Sequence, residues 1–289
     1  MKFGWFAGLA LVSLSALAAD SAPPAGAESG SSTNLAKALE NALGPKSTVS
    51  DITSCMALNV ADRGSVRDVV VSATDREGKA KTLKLKLHWK PTKGDRRGRL
   101  NLRVVEPLML AGSTYLLVQT AESEDIYFYL PAAKRTQKVA GGDLDRPLWG
   151  TDFSYNDVKL IQGMLVSGDT ERLADGHVGD RDAFMLLTKP KTGTYPRVIT
   201  AVDQKSCVII KADFYGKTEA LEKTFTADLS TLSSLEPFSR PQPYWFVRGY
   251  TMANVKAQTS TKLELSDIYL EERMPERVFD PEHFSEPFE

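Results

Sequence analysis

The sequence predicts a mainly β (α+β) protein: one large, curved antiparallel sheet or open barrel, with helices on one face. Three observations predict it. The run Leu83-Lys84-Leu85-Lys86-Leu87-His88-Trp89-Lys90 puts Leu83, Leu85, Leu87 and Trp89 on one side and the charged residues on the other, the period of a half-buried strand. About eleven to thirteen such runs follow one another at short, turn-like spacing, after one early helix. Several of them are apolar on both alternating faces, so they need cover on both sides.

In chain order, Lys2 precedes an apolar run from Phe3 to Leu17, and Ala16-Leu17-Ala18 offers small residues at both outer positions of a cleavage triplet. The run is shorter than the roughly 20 residues that cross a bilayer, so residues 1–18 read as a cleaved secretory signal. No cysteine lies near the cut, which argues against a lipid anchor there. Residues 19–33 are small and rich in Pro, Gly and Ser, a flexible leader. Residues 34–289 are then expected to form a single exported domain.

That domain opens with a helix that sets Leu35, Ala38, Leu39 and Ala42 on one face and stops at Gly44-Pro45. A short second helix is expected near Ile52 to Leu58. The period then changes to 2. Strands are expected over Val66 to Thr74, Leu83 to Lys90, Leu100 to Val105, Thr114 to Thr120, Ile126 to Leu130 and Arg135 to Ala140. They continue over Thr170 to Leu173, Ala183 to Thr188, Arg197 to Val202, Cys207 to Tyr215, Leu221 to Leu229, Tyr244 to Asn254 and Lys262 to Leu270. Downstream, Phe153 to Leu160 and Pro281 to Phe284 read as helical.

Composition narrows the function. Lys plus Arg number 36 against 37 Asp plus Glu, a formal charge of −1, which argues against a nucleic-acid binder that must neutralise phosphates. His88, His177 and His283 stand far apart, and neither a zinc-type His/Cys spacing nor a G-x-S-x-G nucleophile turn occurs. His88, on the charged face of its strand, is expected to be solvated. Gly216-Lys217-Thr218 lacks the upstream glycine of a phosphate loop and reads as a hairpin turn. Gly141-Gly142-Asp143 lacks the strand–helix context for phosphate binding. The pairs Asp143/Asp145 and Asp180/Asp182 are turn residues with no sign of a raised pKa. The sequence therefore points to no enzyme, no cofactor and no metal. An envelope hydrolase is the disfavoured alternative.

Cys55 and Cys207 are an even pair in an exported chain and are expected to form one structural disulfide. Its loop of about 150 residues gives roughly 5 kcal/mol in the chain-entropy model and about 2–4 in practice.

The strands that are apolar on both faces are Tyr115 to Val118, Ile126 to Leu130, Cys207 to Ile210 and Tyr244 to Val247. They fit either an ordinary core on both faces or a concave apolar cavity able to hold an acyl chain. In the second case Leu116, Val118, Phe128, Leu130 and Phe246 are candidate cavity residues, although the alternation alone does not say which set points inward.

Tyr129-Leu130-Pro131, Lys134-Arg135 and Trp149-Gly150-Thr151-Asp152-Phe153-Ser154-Tyr155-Asn156-Asp157 resemble outer-membrane lipoprotein-sorting-like proteins, in the superfamily of the carrier LolA and the receptor LolB. Asp203 to Val208, Ala212 to Tyr215 and Glu276 to Phe279 extend the match in order across roughly residues 50 to 285. The resemblance implies an incomplete β-barrel of about eleven antiparallel strands, with helices covering the concave face and an apolar cavity for lipid chains. It also implies a soluble periplasmic carrier of lipid or lipoprotein acyl chains, with an inner-membrane lipid-export permease as a further partner. A docking subunit of such a permease without its own cargo is the alternative. Within the signature, Pro131 ends a strand, Gly150 allows a sharp turn, and Ser154 caps the following helix. Trp149 and Phe153 flank that turn and are placed at the cavity mouth, or else only pin the helix to the sheet.

Overall fold

The computed structural model describes residues 43–92, 97–236, 243–266, 268–271 and 273–287. The signal, the leader and nearly all of the first expected helix lie outside the described residues. Helix α1 (Val49–Ala57) begins at a reciprocal capping box: the Thr48 hydroxyl accepts from the Asp51 N–H, and the Asp51 carboxylate accepts from the Thr48 N–H. Its buried residues, Ile52 and Met56, face the core.

Most of the alternating runs form the expected strands, but the one expected over Lys262 to Leu270 is two strands, Thr259–Leu265 and Tyr269–Leu270, and Gly176–Val178 and Ser233–Leu235 add strands that the sequence does not predict. The first six are β1 (Ser65–Thr74), β2 (Ala80–Pro91), β3 (Gly98–Glu106), β4 (Thr114–Gln119), β5 (Glu124–Leu130) and β6 (Arg135–Val139). Then come β7 (Gly168–Arg172), β8 (Gly176–Val178), β9 (Arg181–Pro190), β10 (Arg197–Asp203), β11 (Ile209–Tyr215) and β12 (Leu221–Ala227). The last are β13 (Ser233–Leu235), β14 (Tyr244–Phe246), β15 (Gly249–Asn254), β16 (Thr259–Leu265) and β17 (Tyr269–Leu270).

Fifteen of them make one antiparallel sheet, ordered β6-β5-β4-β3-β2-β1-β16-β15-β12-β11-β10-β9-β7, with β17 on β1 and β8 on β9. The sheet is not closed into a barrel, and β6 and β7 are its edges. Two sequential meanders meet where β1 pairs β16, in the register Val71↔Leu263 and Val69↔Leu265. The expected strand from Tyr244 to Asn254 is broken at Val247-Arg248. There the Thr231 hydroxyl accepts from the N–H groups of Arg248 and Gly249, and β14 leaves to pair with β13 in a separate ribbon.

One face of the sheet is filled by its own chain. Leu148, Phe153, Tyr155, Val158, Leu160, Ile161 and Val166 form a plug against Leu83, Leu85, Leu102, Tyr115, Phe128, Phe214, Phe225 and Leu263. The plug brings polar atoms inside and satisfies them. The Asp157 carboxylate accepts from the Ser154 N–H and from the Lys223 ammonium of β12, and both charged groups are buried. Lys159, equally buried, donates to Glu124 of β5 and to Ser167. The Tyr115 hydroxyl donates to the Tyr155 carbonyl. The helix expected over Phe153 to Leu160 is therefore cut to α2 (Val158–Ile161), because residues 154–157 turn around the buried carboxylate. Ser154 is therefore not the helix cap, which falls at Asp157 without a side-chain capping bond; the Ser154 hydroxyl accepts from the Asp157 N–H within the turn before the helix.

The opposite, outer face of β2 to β5 is covered by the C-terminal segment. Met274, Val278, Phe279 and Phe284 pack on Leu116, with Val66, Val118, Tyr127 and Tyr129 around them. Asn101 donates to the carbonyls of Val278 and Phe284, and Arg103 to those of Ser285 and Glu286. The runs Tyr115 to Val118 and Ile126 to Leu130, apolar on both faces, thus have protein on both. The helical turn of this segment is at Glu276–Phe279, and the expected Pro281 to Phe284 helix is only a turn.

The same cover corrects the expectation for His88. Paired with Asn101 in the register, it is half-buried rather than solvated. Burial first, then the cations Lys86 and Arg103, push its pKa down to about 4. The folded chain thus refuses a proton that the unfolded chain accepts below about pH 6.5. Stability present above that pH should fall as the pH drops from 6.5 towards 4, by at most about 3 kcal/mol. Urea unfolding at pH 7 and pH 4.5 should show this loss, and His88→Asn should flatten it. An equal loss in the variant would assign the acid sensitivity to other groups.

Candidate functional site

The clearest recess lies where α1 crosses the end of the sheet. A cavity of about 70 Å³ is lined by Met56, Val60, Leu87, Trp89, Ile161 and Val208, with Trp245 and Phe246 of the separate ribbon. A second, of about 230 Å³, is lined by Thr53, Met56, Ala57, Val60, Gly163, Met164, Leu165 and Arg97. The two adjoin, because Met56, Val60 and Gly163 line both.

Local sequence fixes this frame. The Asn59 side chain donates to the Ser206 carbonyl and accepts from the Trp245 N–H, tying the turn after α1 to two distant segments. The Trp89 indole donates to the Ala61 carbonyl. Gly163, at φ +71, follows α2 in a conformation that disfavours side chains. The Cys55–Cys207 disulfide, with Cα atoms 5.8 Å apart, joins α1 to the loop between β10 and β11.

Polar atoms also reach the smaller cavity. Asn59, Ser65, Arg67, Gln162 and Tyr250 line it. Burial pushes the Tyr250 phenol up to about 12, against the opposing pull of Arg67. Among the described residues no group of three or more His, Cys, Asp or Glu could hold a metal ion.

The residues singled out from sequence fall in three places. Phe128, Leu130, Trp149 and Phe153 pack together with the inner core: the Phe128 ring is 6.1 Å from Trp149, and Phe153 meets Phe225 edge-on at 6.4 Å. Leu116 and Val118 have the opposite parity and lie under the C-terminal segment. Phe246 lines the smaller cavity. Trp149 and Gly150, at φ +51 and +64, make the sharp turn beside a third, open groove of about 490 Å³ between hairpin ends. That groove exposes more apolar than polar surface, and charged side chains border it: Asp152 is held by the hydroxyls of Thr259 and Thr261, and Lys81 donates to the Trp149 carbonyl. Arg67 was missed in the sequence. Its signal was parity, since it shares the inward face of β1 with Val69 and Val71.

A family model described only as an uncharacterized protein matches residues 99–286. The chain belongs to that family. Solved structures show the fold to be LolA-like. A domain from Vibrio parahaemolyticus, described as an outer membrane lipoprotein-sorting protein, matches at TM-score 0.67 and 22% identity, over 81% of this chain and 96% of that one. A DUF1329 family protein from Desulfovibrio piger matches at 0.67 and 19%, over 85% and 97%. A LolA superfamily protein from Nitrosomonas europaea matches at 0.56 and 16%, over 81% and 98%. No curated protein matches the sequence. In this LolA-like chain the inner face of the sheet is occupied by the plug, and the recesses among the described residues include the pair of cavities beneath α1 and the open groove beside Gly150. No helix among the described residues is long and apolar enough to cross a membrane.

Proposed function

We propose that the protein is a non-enzymatic periplasmic carrier that holds acyl chains of a lipid or lipoprotein in the joined cavities beneath α1. The observation that carries this reading is the larger cavity, walled by Met56, Ala57, Val60, Met164 and Leu165 and opening into a second one. Apolar walls of this kind suit a chain of methylenes and offer no group to transform it. The LolA-like fold, the lipoprotein-sorting description of one neighbour and the signal-like N-terminus support the same reading.

A titration with fluorescent fatty acids of increasing length tests it, with circular dichroism run alongside. Each buried methylene should add about 0.8 kcal/mol, roughly fourfold in affinity, until the cavities are full. Met164→Glu, at a half-buried wall position, should weaken binding at least about tenfold and leave the unfolding midpoint nearly unchanged. Folded protein with no saturable uptake at any length would reject carriage.

One feature favours a second reading, a docking subunit of a lipid-export permease without its own cargo. The turn between β3 and β4 holds Leu108 and Met109 out of the protein, each 91% exposed. Adjacent large apolar side chains at a turn suit contact with another apolar surface.

A further inference from the structure

The stretch Glu276 to Phe279 has no part in acyl carriage, yet the outer face of the sheet is built around it. From Arg273 to Pro287 the chain contributes no strand to the sheet. Side chains of β2 and β3 hold it by its main chain instead. Lys90 donates to the Met274 carbonyl, Asn101 to those of Val278 and Phe284, and Arg103 to those of Ser285 and Glu286. Sequence enters at two points. The Glu276 carboxylate accepts from Lys90 and Arg99. Val278, Phe279 and Phe284 are buried with Leu116, and the Arg99 guanidinium lies 5.5 Å from the Phe279 ring. Main-chain bonds for affinity and side-chain pockets for specificity are how a sheet surface reads an extended peptide. The fit is incomplete at one atom. Asn101 is fully buried, and its side-chain oxygen meets no donor among the described residues. A buried acceptor without a donor costs free energy, so an occupant that brings an N–H to it gains a bond that the resident segment does not make.

We infer that the outer face of β2 to β5 is a peptide site, occupied in cis by residues 274–286, and that it receives an extended segment of a partner protein carrying an acidic residue followed, two and three positions on, by an apolar and an aromatic one. The resident segment is an internal competitor. Its tether gives it a roughly millimolar effective concentration, so a partner binds only the fraction of molecules whose segment is lifted. The same segment of a second copy would leave the Asn101 oxygen equally unmatched, and without the tether it loses to the resident one.

The probe is a fluorescent peptide with the sequence of residues 273–287, titrated with the full chain and read by anisotropy, with circular dichroism run alongside. Full-chain Phe279→Ser/Phe284→Ser, whose own segment is loosened, should bind it at least about tenfold more tightly than the wild type. Glu276→Lys in the peptide should weaken that binding at least about fivefold, since it turns a cation towards Lys90 and Arg99. If the variant does not fold, hydrogen exchange of the wild type decides. The amides of Val278 and Phe284 should then exchange at least about tenfold faster than those of β2 and β3, because the segment opens alone. Exchange as slow as in those strands would show that it leaves only on global unfolding, and would overturn the site. So would a folded variant with no saturable peptide binding, or binding indifferent to Glu276→Lys. Concentration-dependent dimers of the wild type in light scattering would overturn the partner segment in favour of a second copy of this chain.

Discussion

Replacing Lys223 with Met is expected to destabilise the protein by about 3–5 kcal/mol, the usual cost of leaving one buried charge without its partner. Asp157 would keep the Ser154 N–H, but no ammonium would face its carboxylate. Tyr195 and Phe214, whose rings flank the ammonium at 5.6 and 5.2 Å, would pack acceptably on a methionine, so lost packing is not the source of the effect. The double variant Lys223→Met/Asp157→Asn should recover part of the loss, because the orphan charge is gone and an amide oxygen can still accept from Ser154. Urea denaturation of the two single variants and the double variant measures the coupling. A single-variant loss below about 1 kcal/mol would mean that water reaches the pair, and that the plug is not seated as described.

The second large effect concerns the disulfide. Cys207→Ser, or reduction of the wild type, should lower stability by about 2–5 kcal/mol, since the bridge closes a very long loop in the unfolded chain. The loss should fall on α1 first. Its buried residues on the core are chiefly Ile52 and Met56, so the bridge and the Asn59 contacts carry much of its attachment. Hydrogen exchange should therefore quicken in residues 49–61 of the variant before it quickens in β1 to β5. Uniform quickening across the sheet would show that the bridge stabilises the whole fold and not the helix over the cavities.

These two interactions differ in how far the sequence revealed them. The bridge was expected from two cysteines in a chain whose N-terminus reads as a secretory signal. The strands follow from alternation, most plainly Leu83 to Trp89, whose inward set is the one found in the core. Asp157–Lys223 was hidden, since a charge in an apolar run reads as a surface residue until its partner, far along the chain, is placed beside it. Phe153 to Leu160 looks helical because its apolar spacing allows it, and the buried turn depends on that same unseen partner. The side on which Leu116 and Phe128 fall depends on what covers each face, and both covers come from remote segments. Arg67 was legible by parity alone, and the cavity around it forms only when residues from Met56 to Ile268 converge.

The order of the strands bears on how the chain acquires its structure as it is made. Strands β1 to β6 pair with neighbours in sequence and can zip up as they emerge. The other edge of β1 must wait for β16, whose Leu265 follows Val69 by about 200 residues. At synthesis rates of about 5–20 residues per second, that strand's N–H and C=O groups stand open for roughly 10–40 s. An unpaired edge held that long is an invitation to pair with another nascent chain. The seam between the two meanders is therefore where a holding chaperone would matter most, and where truncation before residue 259 should turn a folding chain into an aggregating one.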